Sequence, residues 1–219
     1  MELRGSGMLD WLVPSVCFVC GATGLGAPCP RCRPAATHRP AHDIPGVTAA
    51  FTCGGYSGPV GLAVRRAKYD EDRPLAAQLA QLGAAALTPA LQGAPLAAVV
   101  AVPSPPGRLW RRGFSLPALF ADALAGGLGL PVRPVLRIGG GARQATLTPV
   151  SRSRALAGRV RAIGPDIVGT WLLVDDVVTT GATAHACARE LLGHGADAVW
   201  LASLCVARRP NPVTRVRKV

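Results

Sequence analysis

The sequence is poor in charged and aromatic residues. Of its 219 residues, 16% are charged and 5% are aromatic, whereas 49% are hydrophobic. This composition favours a folded protein, and the length suits one α/β domain with a small appendage. No run of 18 or more apolar residues qualifies as a transmembrane helix. The start of the chain, with Glu2 beside Arg4 and a short apolar patch at 11–16, is a poor signal peptide, so we predict a cytoplasmic protein with reduced cysteines.

Acidic residues are half as frequent as basic ones. The chain has 24 lysines and arginines against 12 aspartates and glutamates, which gives a net charge of +12. Only two of the basic residues, Lys68 and Lys218, are lysines. An excess of positive charge favours phosphorylated or polyanionic partners, nucleic acids among them. The alternative is a solvated basic face with a basic tail at 208–219, and the composition leaves both open.

Four of the seven cysteines form two Cys-x-x-Cys pairs, eight residues apart. Two such hairpins bring four thiolates into a tetrahedron, the closed geometry of structural zinc. The predicted zinc ligands are Cys17, Cys20, Cys29 and Cys32. Disulfides are the weaker alternative in a cytosolic chain. A site with four cysteine ligands has no open position, so we expect no catalysis at the metal.

The chain is organised around residues 170–183, which read TWLLVDDVVTTGAT. The apolar run at 171–174 predicts a buried strand, after which Asp175 and Asp176 follow directly. A hydroxyl-rich turn at 179–183 then leads into a helical pattern at 184–192. The loop would lie at the carboxyl end of the strand, where open α/β sheets bind their ligands.

The residue types of this loop indicate a phosphorylated sugar. Backbone N–H groups of a small-residue turn entering a helix attract an anion, and Gly181 permits close approach. Asp175 and Asp176 would repel a bare phosphate, but they can accept hydrogen bonds from vicinal hydroxyls or face a cation. The alternative is that the two acids merely cap the helix. A P-loop hydrolase is excluded because neither lysine lies in a G-x-x-x-x-G-K-[ST] motif.

Other elements surround this stretch. An apolar run at 97–102 predicts a second buried strand, and the arginine-rich residues after it suit a pyrophosphate or a nucleic-acid backbone. The alternative for them is a charged loop anchored by Trp110 and Phe114. A glycine-hinged basic stretch at 139–161 suits a closing lid, and the alternative is a disordered stretch without a function. The arginines expected at the pyrophosphate or in the lid are Arg111, Arg112 and Arg143. We also predict helices at 60–69, from Pro74 with an amphipathic body at 75–87, and at 116–128. Strands are predicted at 47–56, within 130–138, and at 197–206.

The stretch 170–183 resembles the phosphoribosyl-pyrophosphate loop of the type I phosphoribosyltransferases. The resemblance implies that Asp175 and Asp176 are the catalytic pair and hold the ribose 2- and 3-hydroxyls, while the loop holds the 5-phosphate. The residues that it implies for phosphoribosyl pyrophosphate are Val174, Asp175, Asp176, Thr179, Thr180, Gly181, Ala182 and Thr183.

From about residue 17 to residue 207 the chain resembles the ComF family of competence-associated, phosphoribosyltransferase-like proteins. The order of the shared motifs carries the resemblance: the four-cysteine ribbon, Tyr56-Ser57-Gly58, Lys68-Tyr69, Val102-Pro103, Arg112-Gly113-Phe114, Gln144 with Leu147, Arg154, and the loop. It implies a type I phosphoribosyltransferase fold, a Rossmann-like parallel sheet with helices on both faces, at 47–207. A lead and zinc ribbon would occupy 1–46, and a basic tail 208–219.

The resemblance also implies a function. The expected protein binds phosphoribosyl pyrophosphate with Mg²⁺ and acts as a phosphoribosyltransferase in DNA uptake or nucleotide metabolism. The alternative is a non-catalytic module that senses this ligand, binds single-stranded DNA and partners a competence helicase. The sequence identifies neither the acceptor base nor a general base.

The chain departs from the family pattern at three places. Ser115-Leu116 stands where the family has Asn-Gln, and Pro103-Ser104-Pro105 stands where it has Pro-Val-Pro. An Asn expected after the lid arginine is missing, with residues 155–158 in its place. These departures concern the acceptor or pyrophosphate side and leave the ribose-phosphate loop unchanged.

Overall fold

The computed structural model describes residues 15–23, 28–39, 44–139, 158–164 and 167–207. Its strands are β1 (Thr37–Arg39), β2 (Ala49–Thr52), β3 (Leu96–Ala101), β4 (Leu136–Ile138), β5 (Val160–Ala162), β6 (Thr170–Val178) and β7 (Ala198–Val206). Its helices are α1 (Pro59–Tyr69), α2 (Arg73–Leu91), α3 (Pro106–Arg112), α4 (Leu116–Leu128) and α5 (Ala182–Gly193), besides a 3₁₀ turn at Pro30–Cys32. The predicted N-terminal lead, most of the predicted lid with Arg143, and the basic tail lie outside the described residues.

Five strands form the main sheet, in the order β1-β2-β7-β6-β3. The four strands from β2 to β3 are parallel, and β1 is antiparallel at one edge. The central strands β6 and β7 are almost entirely buried, as expected for parallel strands covered on both faces. β4 and β5 form a separate antiparallel pair.

Helices cover both faces of the sheet. Alternate side chains of β6 point to opposite faces, so that Leu172 packs with residues of α1, α2 and α4, whereas Leu173 packs with residues of α5. The predicted fold class, a parallel sheet with helices on both faces preceded by a four-cysteine module, is confirmed. No helix in the described part of the chain is both long enough and apolar enough to cross a membrane.

The structure corrects the predicted end of the central strand. The apolar run predicted a strand at 171–174 with the two acids after it, but β6 continues to Val178 and includes both acids. The neighbouring β7 is equally long and pairs with β6 beyond the apolar run, with Asp175 opposite Ser203 and Val178 opposite Val206. The length of the neighbouring strand β7 therefore determines where β6 ends. The local sequence pattern of β6 carries no information about that length.

Other boundaries also differ from the sequence pattern. The arginine-rich segment is the short helix α3, closed by Gly113 in the left-handed conformation at φ 70°. The helix predicted to start at Pro74 begins at Arg73, where Asp72 caps its first turn, and it continues past the predicted body at 75–87 to Leu91. The segment between the cysteine ribbon and residue 46, for which no strand was predicted, contains the edge strand β1. The helix at 116–128 is confirmed.

The cysteine segment packs against α1. Arg66 of this helix donates through Nη1 to the carbonyl oxygens of Phe18 and Val19, at 2.8 and 3.3 Å. The buried cysteines Cys17 and Cys32 join the apolar cluster on this face of the sheet. The division of the chain at residues 46 and 207 stays a prediction.

Candidate functional site

Two carboxylates near the carboxyl end of β6 form the centre of the candidate site. Asp175 and Asp176 are 9% and 7% exposed, which is unusual for ionisable residues without partners. The backbone N–H of Asp176 donates to Oδ1 of Asp175 at 2.8 Å. Both side chains line a cavity of about 390 Å³ at this edge of the sheet.

A lysine provides the partner for one of these acids. The last turn of α1 places Nζ of Lys68 2.7 Å from Oδ1 of Asp176, and both side chains are largely buried. Lys68 also lines the cavity. Lys68 was not among the site residues predicted from the sequence. A clue to its role in the sequence is its residue type, because 22 of the 24 basic residues are arginines whereas position 68 is a lysine.

Asp175 differs electrostatically from its neighbour. Burial, followed by the charge of Asp176, raises the pKa of Asp175 to about 7, and the nearby Lys68 opposes the shift. Its carboxyl group therefore keeps a proton more readily than an ordinary aspartate. It can accept a hydrogen bond from a ligand hydroxyl or donate one to a ligand oxygen.

The loop after β6 makes the second part of the site. Gly181 is the N-cap of α5 with φ 76°, and a Cβ there would lie 2.8 Å from Cγ1 of Ile44. The hydroxyl of Thr180 accepts from the N–H of Ala182 at 3.4 Å, which shapes the turn. The loop encloses a small cavity of about 20 Å³, lined by Asp175, Val177, Val178, Thr179, Gly181, Ala182, Thr183 and Ala184. Val174, which was also predicted to bind the ligand, is fully buried within β6. In the described part of the chain it lines neither of the two cavities.

The larger cavity draws its walls from four segments of the chain. They are the turn before α1 with the end of that helix, the loop after β3, the segment from α3 to the start of α4, and the end of β6 with the loop and the start of α5 that follow it. Its polar and charged lining residues are Tyr56, Lys68, Tyr69, Ser104, Arg108, Arg112, Ser115, Asp175, Asp176, Thr179 and Thr183. The cavity thus combines two carboxylates, three cations and several hydroxyls.

The three arginines expected on the pyrophosphate side have different positions. Arg112 lines the cavity, and its Nε is buried without a hydrogen-bond partner among the described residues. Burial, and then the charges of Arg108 and Arg111, lower the pKa of Arg112. Arg111 instead pairs through Nε with Glu71 at 3.1 Å, where both side chains are substantially exposed. Arg143 lies outside the described residues.

Two of the departures from the family pattern meet in the cavity wall. The hydroxyls of Ser104 and Ser115 are 2.8 Å apart, and both residues line the cavity. The two positions are eleven residues apart in sequence, on either side of α3. In the sequence the two changes are separate, and no local pattern indicates that the two side chains are in contact.

The four cysteine sulfurs form a cluster that fits a metal ion. All four lie within 4.8 Å of one another, and the sulfurs of Cys20 and Cys29 are 3.8 Å apart. Tetrahedral zinc with Zn–S bonds of about 2.3 Å requires sulfurs separated by roughly 3.8 Å, so the cage has the right size. Burial would raise the pKa of Cys17, but N–H groups of Cys29, Cys20 and Val19 outweigh it and lower the pKa to about 6. Burial and the neighbouring sulfurs raise the pKa of Cys32, and a cation would relieve that repulsion.

Comparison with known proteins identifies relatives over most of the chain. No family model matches the sequence. The DNA utilization protein YhgH of Salmonella typhi is 33% identical over 198 residues, covering 87% of this chain and 84% of that protein. Its counterpart from Escherichia coli is 30% identical over 206 residues, covering 89% and 90%. An adenine phosphoribosyltransferase from Frankia alni is 40% identical over 93 residues, or 42% of this chain and 48% of that enzyme.

Solved structures give a weaker likeness. A purine phosphoribosyltransferase from Pyrococcus horikoshii aligns with a TM-score of 0.32 and 21% identity, covering 57% of this chain and 71% of that one. The protein TT1426 from Thermus thermophilus aligns with a TM-score of 0.37 and 21% identity, covering 58% and 74%. TM-scores this low support no conclusion, so the fold is established by the strand order and helix packing described above.

Proposed function

The chain belongs to the ComF family, that of the DNA utilization protein YhgH, and from this premise we propose that it binds phosphoribosyl pyrophosphate with Mg²⁺ as a phosphoribosyltransferase-like protein of DNA uptake or nucleotide metabolism. The relatives' name and the partial match to an adenine phosphoribosyltransferase both support this proposal. The site residues support it independently, because they offer complementary groups to each part of such a ligand.

One observation carries the proposal. Asp175, Thr179 and Thr183 line both the small cavity of the loop and the larger cavity beside it. A 5-phosphate in the loop would accept hydrogen bonds from backbone N–H groups at the start of α5. The attached ribose would then lie beside the two carboxylates, which accept hydrogen bonds from its hydroxyls. The shared lining residues and the chemistry of the two cavities thus support ribose 5-phosphate as the part of the ligand bound here.

The cations of the larger cavity suit the other end of this ligand. Arg108 and Arg112 line it together with Lys68, and the buried Nε of Arg112 is available as a donor. In the proposed transfer, an acceptor nitrogen forms a bond to the anomeric carbon, and the bond from that carbon to the pyrophosphate oxygen breaks. The pyrophosphate leaves with the electron pair of that bond, and the proton of the nitrogen passes to water. Bound Mg²⁺ would neutralise charge on the departing pyrophosphate. The arginines would stabilise the same charge by hydrogen bonds in a partly dry site.

Titration calorimetry with phosphoribosyl pyrophosphate and Mg²⁺ tests ligand binding. We expect saturable heat for the parent protein and its loss in the double variant Asp175→Asn with Asp176→Asn. Asp197→Asn is the matched control, because this aspartate is exposed and does not line the cavity. Absence of heat in the folded, metal-loaded parent would refute the proposal.

A second assay separates an enzyme from a binding module. Purified protein, Mg²⁺ and the ligand are mixed with a panel of nucleobases, and released pyrophosphate is measured. Release that depends on one base would identify the acceptor and establish turnover. Ligand binding without release from any base would favour a sensor over a transferase.

The second candidate function is a ligand sensor that binds single-stranded DNA and partners a competence helicase. The observation in its favour is α3, where Trp110 is 89% exposed and lies between Arg108 and the adjacent Arg111 and Arg112. An exposed aromatic ring among arginines suits base stacking with contacts to phosphates. We expect DNA affinity to fall steeply with salt and to weaken in Trp110→Ala. Failure to bind DNA at low salt would remove this function.

We also propose that the cysteine cluster binds zinc and that the zinc is structural. All four ligands come from the protein, so no coordination position is left for a substrate. The packing of this segment on α1 through Arg66 suits a module that stabilises the sheet domain from outside. Metal analysis of the purified protein should give one zinc per chain.

A further inference from the structure

Ser104 and Ser115 form a hydroxyl pair in the cavity wall, with their Oγ atoms 2.8 Å apart. Ser104 follows β3, between Pro103 and Pro105, and Ser115 caps α4. We propose that this hydroxyl pair determines ligand specificity by donating a hydrogen bond to the diphosphate group of the ligand, a contact that ribose 5-phosphate cannot make. The inference rests on the proposed function, which it deepens.

Counting donors and acceptors shows what the hydroxyl pair offers. Two serine hydroxyls carry two O–H donors. One donor is used in the contact between them, whichever residue provides it. The N–H of Ala118 occupies one acceptor position on Ser115, at 3.4 Å. One O–H therefore has no acceptor among the described residues, and a hydroxyl that accepts a hydrogen bond becomes a better donor.

The charged residues around the hydroxyl pair indicate which kind of ligand atom accepts its hydrogen bond. Arg112 lies three residues before Ser115 in the same segment, and its buried Nε is a second donor without an acceptor in the described structure. Arg108 lines the same cavity, whereas both carboxylates of the cavity lie on β6. Donors that include two guanidinium groups require an anionic oxygen as their partner. In a ligand anchored at the loop through its 5-phosphate, the diphosphate at the anomeric carbon supplies such oxygens.

The backbone holds the hydroxyl pair in a fixed geometry. Proline on each side of Ser104 restricts the rotation of this loop, and Ser115 is fixed as the cap of a helix of 13 residues. Because both side chains are half-buried, little side-chain entropy is lost when a ligand binds. Each hydroxyl positions the other. Removing either one should therefore change the direction of the O–H group that the remaining serine donates to the ligand.

The test compares two ligands in four proteins. Affinities for phosphoribosyl pyrophosphate and for ribose 5-phosphate, each with Mg²⁺, are measured in the parent, in Ser104→Ala, in Ser115→Ala and in the double variant. Each single variant should lose about tenfold in affinity for phosphoribosyl pyrophosphate, as expected for one hydrogen bond to a charged group. Affinity for ribose 5-phosphate should stay within about twofold of the parent. The double variant should be close to the weaker single variant, because the two hydroxyls act as a unit.

Asp72→Ala is the matched control for a lost helix cap. Asp72 caps α2 by accepting from the N–H of Leu75 at 2.9 Å, and it does not line the cavity. Ser115→Ala and Asp72→Ala should lower thermal stability to a similar extent, whereas only Ser115→Ala should alter the ratio of the two affinities. Ser104→Ala removes no cap and should change that ratio without a comparable loss of stability.

The outcomes separate this inference from the proposed function. If the parent binds both ligands and the serine variants weaken both equally or neither, the hydroxyl pair is structural and this inference is wrong. If the folded, metal-loaded parent binds neither ligand, the proposed function fails and this inference fails with it. A selective loss for phosphoribosyl pyrophosphate in both single variants supports both.

Discussion

The cysteine cluster and the carboxylate cavity are built in opposite ways. The cluster takes four identical ligands from a stretch of sixteen residues and closes them around one point. The cavity takes two acids, three cations and several hydroxyls from segments between Tyr56 and Thr183. The first arrangement depends on local spacing, and the second depends on how α1, α3 and β6 meet in the fold.

This difference determines what each site can do. A closed shell of four thiolates holds a metal and leaves no position for chemistry. An open cavity with charges of both signs can bind a ligand whose parts differ in charge. Arg66 and Lys68 lie on the same helix, α1, but Arg66 contacts the cysteine segment and Lys68 contacts the cavity. The two sites are therefore neighbours, and the separation of their roles can be tested.

Removing the metal should have the largest effect on the cysteine segment and a small effect on the cavity. Structural zinc contributes about 10 kcal/mol or more to the folding of such ribbons. We expect chelation, or Cys29→Ser, to unfold the N-terminal segment, as measured by hydrogen exchange and metal content. Affinity for phosphoribosyl pyrophosphate should change less than about threefold.

The matched control is Cys187→Ala, which removes a buried cysteine of α5 outside the cluster. It should retain one zinc per chain. Complete loss of ligand binding on chelation would contradict the separation of the two sites, because the folded cysteine segment would then be required to form the cavity.

Breaking the ion pair between Lys68 and Asp176 should have the next largest effect. Asp176→Asn leaves a largely buried ammonium group without its counter-charge, which we expect to cost about 3 kcal/mol of unfolding free energy. The double variant Lys68→Met with Asp176→Asn should recover most of that loss. Denaturant unfolding of the parent, Lys68→Met, Asp176→Asn and the double variant measures the coupling. Strict additivity of the two single changes would show that the ion pair has no role in stability.

The pH dependence of stability should distinguish Asp175 from its neighbour. Its pKa is raised to about 7 by burial and by Asp176, from an unfolded value near 4, so the folded state binds the proton more tightly. The stability that this proton provides is present below about pH 4 and is lost as pH rises to about 7, with a slope of at most about 1.4 kcal/mol per pH unit. Asp175→Asn should flatten the unfolding free energy over this window. An unchanged slope in the variant would show that Asp175 ionises normally.

Local patterns in the sequence were enough to predict the cysteine ribbon, the helix at 116–128, and the succession of strand, loop and helix within residues 170–192. Spacing, capping and periodicity operate over a few residues, so one sequence contains them. The contact of Lys68 with Asp176 crosses more than a hundred positions and follows from the packing of α1 on the sheet. The extent of β6 likewise depends on its neighbour β7, and the contact of Ser104 with Ser115 depends on the turn made by α3.

The smallest predicted effect concerns the surface beside the cavity. Glu71 is the only residue other than glycine with positive φ in the described ranges, at 54°, and it pairs with Arg111 where both side chains are substantially exposed. Exposed ion pairs contribute about 0–1 kcal/mol, and relief of a left-handed backbone by glycine is worth about 1 kcal/mol. We therefore expect Glu71→Gly to raise the unfolding free energy slightly, and Glu71→Gln to change it by less than about 0.5 kcal/mol. A loss above about 2 kcal/mol in Glu71→Gln would mean that the contact with Arg111 holds α3 in place. This ion pair would then rank with the buried pair of Lys68 and Asp176.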